Sequence, residues 1–201
     1  LTALNTQLGL LQRQSASDSA ALLQAAQRST DNAVRLTTQL LALTWAEHSP
    51  EMDAKTEVDL VTLARQVTAD HLWRAHAAGA DLGLEALVPE CRVHGHAALL
   101  QEALTNVIDN ALHHGGAGVR ITVRVLAQGL EVEDDGPGIA AEHQAHVFER
   151  FYRAAPAGVS GSGLGLAIVQ EIARQHGALA QVRSPVQDGH GTLVALRWPQ
   201  V

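Results

Sequence analysis

The spacing of apolar residues changes along the chain, and each change predicts a different kind of element. Leu1, Leu4, Leu8 and Leu11 step by 3, 4 and 3, which is one apolar stripe on a helix. Small polar residues from Ser15 to Ser19 interrupt it, and Ser17 or Asp18 can cap a second helix. Leu22, Ala26, Ser29, Ala33, Leu36, Leu40 and Leu43 then alternate steps of 4 and 3, a heptad seam. Two helices with a short connection make an antiparallel hairpin over residues 1–48. A hairpin this narrow buries little by itself, so pairing with a second copy as a four-helix bundle is expected. Packing on its own downstream domain is the other way to cover the seam. Residues 49–56 read as a linker, with Pro50 ending the helix.

Residues 57–201 mix the two periods. Val58 to Ala78 is expected to be helical, with Leu60, Leu63, Ala64, Val67 and His71 on one face. Asp81 to Val88 and Arg92 to His94 are short strands. His96 to His114 is a long helix with Leu99, Leu100, Ala103, Leu104, Val107, Ile108 and Ala111 in its stripe. Val119 to Leu126 and Leu130 to Asp134 alternate as strands around a Gln128-Gly129 turn. Leu164 to His176 is a helix stopped by Gly177, and Leu179 to Arg183 and Thr192 to Trp198 are strands. The order predicts an α+β chain: the helical hairpin, then an α/β sandwich with helices on one face of a largely antiparallel sheet.

Composition narrows the function. Apolar residues are 46% and charged residues 17%, enough for a packed core. A formal charge of -7 argues against a general nucleic-acid binder, which needs cations to displace phosphate counterions. Cys91 is the single cysteine, so no intrachain disulfide or cysteine-based zinc site can form, as fits a reducing cytoplasm. No run of 18 apolar residues is present. The chain opens on Leu without a charged-then-apolar leader, so it is expected to start in mid-protein, with any membrane segment upstream.

Three polar clusters carry candidate chemistry. In Asn106-Val107-Ile108-Asp109-Asn110-Ala111 the two asparagines lie four apart and share one helix face, read as distinct from the apolar one. An amide oxygen with nucleotide phosphates suits a hard cation such as Mg²⁺. Ordinary helix-surface polarity fits the cluster alone equally well. Asp134-Asp135-Gly136-Pro137-Gly138-Ile139 follows a strand. Its glycines allow close ligand approach, and a strand-end carboxylate can accept from a planar amine such as that of adenine. A plain Asp-Gly turn is the bland alternative. Gly161-Ser162-Gly163-Leu164-Gly165-Leu166 runs into a helix, whose N-terminus and backbone N–H groups can cradle phosphate. It is neither a P-loop nor a dinucleotide fingerprint, lacking the lysine and the strand immediately before it. Between the last two clusters, Val147 to Arg153 holds both phenylalanines and the tyrosine, an aromatic anchor before a small-residue segment from Ala154 to Ser160. Arg153 or Arg150 could bring positive charge to a transferred phosphate, although both could simply solvate the surface.

The order of an asparagine pair, Asp-x-Gly-x-Gly, a Phe-rich box and Gly-x-Gly-x-Gly resembles the ATP-binding domain of bacterial sensor histidine kinases, in the superfamily shared with gyrase, Hsp90 and a DNA-mismatch protein. The resemblance spans residues 57–201. Leu1-Thr2-Ala3-Leu4 extends it, being similar to the end of the motif that carries the phospho-accepting histidine. It implies ATP and Mg²⁺ as ligands, with Asn110 on the metal and Asn106 by the phosphates. It implies Asp134 on the adenine amine, Gly136, Gly138 and Ile139 shaping that pocket, and Thr192 near the adenine. It further implies Gly161, Ser162, Gly163, Leu164, Gly165 and Leu166 around the triphosphate, with Phe151 in the aromatic box and Arg153 at the γ-phosphate.

Two departures stand out. His113 and His114 occupy the places where the family often has Lys then an aromatic, so affinity could be lower or pH-dependent. The acceptor histidine would lie a few positions before Leu1, so this stretch alone lacks it. The pairs His94/His96 and His143/His146 have no third clustered ligand, so zinc is not expected. The function read from the chain is thus transfer of the ATP γ-phosphoryl to a histidine and on to a response-regulator aspartate, by a homodimer. The expected location is the cytoplasmic part of a bacterial inner-membrane protein. The alternatives are a superfamily ATPase, an anti-sigma-type serine kinase, and a pseudokinase that only dimerises and docks. Asn106 at the place of the ATPases' glutamate disfavours the first. The hairpin disfavours the first two. The intact glycine clusters disfavour the last.

Overall fold

The computed structural model describes residues 55–153, 163–187 and 189–199. The expected hairpin over 1–48 lies outside the described residues, as do Gly161 and Ser162. Elements run β1 (Thr56–Asp59), α1 (Leu60–Ala77), β2 (Asp81–Ala86), β3 (Arg92–Gly95), α2 (Ala97–His114), β4 (Arg120–Leu126), β5 (Gly129–Asp134), α3 (Ala141–Gln144), α4 (Gly165–Gln175), β6 (Leu179–Arg183) and β7 (Thr192–Arg197). Among the described residues no helix is long and apolar enough to cross a membrane.

Two sheets form. β1 and β3 make an antiparallel pair, and the main sheet has the order β2-β4-β5-β7-β6. Only β2 and β4 are parallel within it. Its register stacks Val123, Val132 and Val194 in one row and Val125, Leu130 and Leu196 in the next. These six are buried beneath the helices, with Leu104, Ile108, Ile168 and Ile172 filling the layer between. Burying each such side chain contributes about 1.5–3 kcal/mol. The adjacent row reads Ile121, Asp134, Thr192, so the apolar ladder ends on two polar residues under the same helices. The opposite sheet face is a charge ladder, in which Arg124 meets Glu133 at 2.6 Å and Glu85 at 2.7 Å while Arg197 pairs with Glu131.

Two boundaries differ from the sequence reading. The linker was expected to reach residue 56 and the helix to start at Val58. Instead Thr56 to Asp59 form β1, because Val58 pairs with Val93 and continues the apolar pattern into a strand. Asp59 then caps α1, accepting from the Val61 and Thr62 N–H groups at 3.2 and 3.1 Å. It also takes the Thr62 hydroxyl at 2.6 Å and the Cys91 N–H at 3.0 Å. The Thr62 hydroxyl foremost, with these backbone donors, brings its carboxyl down to about 2. The turn assigned to Gln128-Gly129 is also shifted, since Gly129 is already paired with Arg197. A Cβ there would stand 2.0 Å from the Leu196 carbonyl oxygen.

Candidate functional site

The polar end of the Ile121-Asp134-Thr192 row opens where β5 leaves the sheet. Asp134 is 9% exposed. Its Oδ1 accepts from the Gly136 N–H at 3.0 Å, and the Thr192 N–H also bonds the carboxyl. Burial raises its pKa and outweighs those two donors, which act the other way. Gly136 has no room for a side chain: a Cβ would lie 2.6 Å from Gly115 Cα and 2.9 Å from Asp134 Oδ1. The loop after β5 therefore rides directly on the end of α2. Gly138 has φ 80°, and a Cβ there would meet Ser184 Oγ at 2.9 Å.

Ser184 holds this wall. Its hydroxyl accepts from the Ile139 N–H at 2.7 Å and donates to the Gly191 carbonyl at 2.8 Å. Gly191 N–H donates to the Gly136 carbonyl at 2.8 Å, and Gln144 donates to the Ile139 carbonyl at 2.9 Å. The sequence reading missed Ser184, Gln144 and Gly115. Only Gly115, directly after the long helix, carried a signal that could have found it.

α2 runs alongside this wall and α4. Asn106 was expected on a face apart from the apolar one, but it is 8% exposed and lies among Ala103, Val107 and Ile108. α4 packs on that side of α2, so the face is covered: a Cβ on Gly165 would stand 3.4 Å from Asn106 Oδ1. The amide nitrogen donates to the Glu102 carbonyl at 2.9 Å and its carboxylate at 3.0 Å. Glu102 was also missed, although a spacing of four placed it one turn from Asn106. Asn110 is half-buried on the next turn. Asp109 turns the other way, toward α1. Arg74 stands 2.9 Å and His71 Nε2 3.6 Å from its Oδ1, ion pairs by distance without hydrogen-bond alignment.

His113 and His114 form the last turn of α2. His114 is exposed as a residue, yet its ring is partly desolvated. That burial, then the charges of His113 and Arg153, push it below the usual histidine range. The charge of Arg153 is thus felt at His114 on the end of α2.

Within the aromatic window expected to anchor the segment, Phe151 is not the packed ring. Its side chain is 68% exposed, and it is the one non-glycine residue with positive φ, at 64°, among those described. Its N–H donates to the Gly163 carbonyl at 2.9 Å. A Cβ on Gly163 would strike Phe151 C at 2.7 Å, so the contact requires glycine. Tyr152 is the anchoring ring. Its hydroxyl lies 2.7 Å from His143 Nδ1, and its ring centroid lies 5.3 Å from that of His146. Leu164 and Leu166 are buried, so their side chains belong to the core and only their backbone can face a ligand. Leu164 sits at the N-cap of α4 with a side chain that cannot accept a hydrogen bond.

The pair His143/His146 is used internally, His143 by Tyr152 and His146 by Glu149 at 2.7 Å. Among the described residues no three His, Cys, Asp or Glu side chains are grouped to hold a metal. A groove of about 780 Å³ lies on the other sheet face, lined by the Arg124, Glu131 and Glu133 ladder with Phe148. The charges of Arg124, Arg197, Glu131 and Glu133 are already paired there, so volume alone does not mark the site here. At the Asp134 end, by contrast, there is a buried carboxylate beside glycine backbone. Elsewhere along α2 the Asn106 amide oxygen faces the N-terminus of α4, and the charge of Arg153 reaches His114 at the end of α2. These are the donors and acceptors that a purine with phosphates and a hard cation needs.

The family model for histidine kinase-, DNA gyrase B- and HSP90-like ATPases matches residues 95–201. Sensor protein QseC of Salmonella typhi is 33% identical over 168 residues, covering 84% of this chain and 37% of that protein. Sensor histidine kinase YkoH of Bacillus subtilis is 35% identical over 173 residues, covering 83% of this chain and 36% of that protein. The chain thus spans little more than a third of these curated relatives. A solved structure of full-length ShkA in complex with AMPPNP matches with a TM-score of 0.72 at 26% identity, covering 98% of this chain and 43% of that one.

Proposed function

This chain belongs to the histidine kinase-, DNA gyrase B- and HSP90-like ATPase family, with sensor histidine kinases among its relatives, and from that premise we propose that it is the ATP-binding catalytic core of such a kinase. The observation that carries the reading is the convergence of Asp134, Thr192 and Gly136 with the end of α2, while Asn106 faces the start of α4.

In this reading Asp134 accepts the adenine exocyclic amine, and Gly136, Gly138, Ile139 and Thr192 shape the slot around the base. Asn110 supplies an oxygen to Mg²⁺, which neutralises phosphate charge when bound. Backbone N–H groups at the start of α4, from Gly163 to Leu166, together with Gly161 and Ser162, hold the phosphates. Arg153 adds positive charge at the γ-phosphate end, with the His113 and His114 rings beside it as hydrogen-bonding groups. Residues 56–201 form this domain, and residues 1–48 form the hairpin through which two copies pair.

The acceptor histidine lies upstream of Leu1 in the longer protein. Its ring nitrogen bonds the γ-phosphorus as the bond to the ADP oxygen breaks, and the phosphoryl then passes to an aspartate of a response regulator. Positioning and charge neutralisation supply the catalysis. The parent protein is anchored in the bacterial inner membrane by segments not in this chain. Incubating the longer protein with γ-labelled ATP tests the activity. Label that is acid-labile and base-stable, and moves to a receiver domain, is the expected outcome. Free phosphate with no labelled protein would instead make this an ATPase.

A further inference from the structure

Asn106 offers the site either an oxygen or an N–H, and its neighbours decide which. Its Nδ2 carries two hydrogens, and both are spent on one residue: the Glu102 main-chain carbonyl at 2.9 Å and the Glu102 carboxylate at 3.0 Å. Both partners only accept, so turning the amide over would press its oxygen against two oxygens. The amide oxygen is therefore the atom turned to the start of α4, where a Cβ on Gly165 would stand 3.4 Å from it. The residue is 8% exposed, so solvent offers little alternative hydrogen bonding.

We infer that Glu102 is a positioning residue that locks Asn106 with its oxygen facing the phosphate end of the site. The inference rests on the nucleotide site proposed above. An oxygen there repels phosphate oxygens but accepts from a cation-bound water or touches the cation itself. Asn106 then helps only when the divalent cation is present, and Glu102 sets the strength of that dependence. A glutamine at position 102 replaces the acceptor-only carboxylate by a group that can also donate, so only the main-chain carbonyl still fixes the Asn106 amide and the lock weakens.

The test has two readouts. In ¹⁵N-labelled protein without ligand, the Asn106 side-chain hydrogens are expected to exchange slowly, and the one bonded to the Glu102 carboxylate is expected to lose that protection in Glu102→Ala. Exchange as fast as that of an exposed asparagine in the unmutated protein overturns the inference, whatever the protein binds. Calorimetry with AMPPNP then compares Glu102→Gln with the parent, with and without Mg²⁺. The expected result is about a tenfold loss of the Mg²⁺-dependent gain, with metal-free affinity within about twofold. Equal loss in both conditions, or no loss in either, overturns it. If the unmutated protein binds no nucleotide, the proposed function fails, and the exchange readout still decides the role of Glu102.

Discussion

The two ends of α4 contain polar groups under opposite rules. At its C-terminal end His176 is 5% exposed and every polar atom is used within the fold. Nδ1 donates to the Ile172 carbonyl at 2.7 Å, and Nε2 accepts from the His96 N–H at 2.9 Å. Its carbonyl takes the Trp198 indole N–H at 3.0 Å. At the N-terminal end the backbone is left-handed at Gly163, and across the site at Gly138 and Gly191. There the Asp134 carboxyl is held above its usual range by burial. One end maximises satisfied contacts. The other keeps a buried carboxylate with a raised pKa beside backbone that favours glycine, as suits a binding site.

Substitutions can separate the two ends. The largest effect is expected from Gly136→Ala, whose methyl would meet the backbone of Gly115 at 2.6 Å. Nucleotide affinity should fall roughly hundredfold as the loop shifts, measured by calorimetry. Gly95→Ala is the counterpart at the far end, with a Cβ 2.3 Å from the His176 ring. It should cost about 1–3 kcal/mol in urea unfolding while affinity stays within about twofold. Comparable losses of affinity in both would erase the distinction between the ends.

The pH response gives a smaller effect. Burial foremost lowers the His176 pKa, against its hydrogen bond to Ile172. The unfolded chain then binds the proton more readily than the fold. Stability from this group is complete above the unfolded value of about 6.5 and is lost as pH falls below it. His176→Gln should flatten that part of the stability–pH curve, read by urea midpoints from pH 7.5 to 5. Trp73→Ser should do least. Trp73 is 77% exposed, so the change is expected within about 0.5 kcal/mol with unaltered affinity.

The same contrast explains what the sequence could tell. The glycines of the site were legible because the chemistry is carried by backbone, and backbone freedom is written in residue type. Gly136, Gly138 and Gly163 all proved to be places without room or with positive φ. The long α2 and the strands were legible from their periods. His176 was read only as the last helical residue, since its partners Gly95, His96 and Trp198 lie far away in sequence. Ser184 was invisible for the same reason. The aromatic window was legible as a cluster but not which ring in it packs: Phe151 makes its contact through its backbone, and Tyr152 supplies the packed ring. Asp109 seemed to join the asparagines, but one position along a helix turns a side chain by about 100°, and it faces α1 instead.

The most direct measurement is Mg-ATP binding to this chain by calorimetry, with Asp134→Asn alongside. The account predicts saturable binding that strengthens with Mg²⁺ and is lost in the variant, because the asparagine oxygen stays with the backbone donors of Gly136 and Thr192 and its NH2 meets the adenine amine donor to donor. Absence of binding by the unmutated chain, or equal binding by Asp134→Asn, would contradict it.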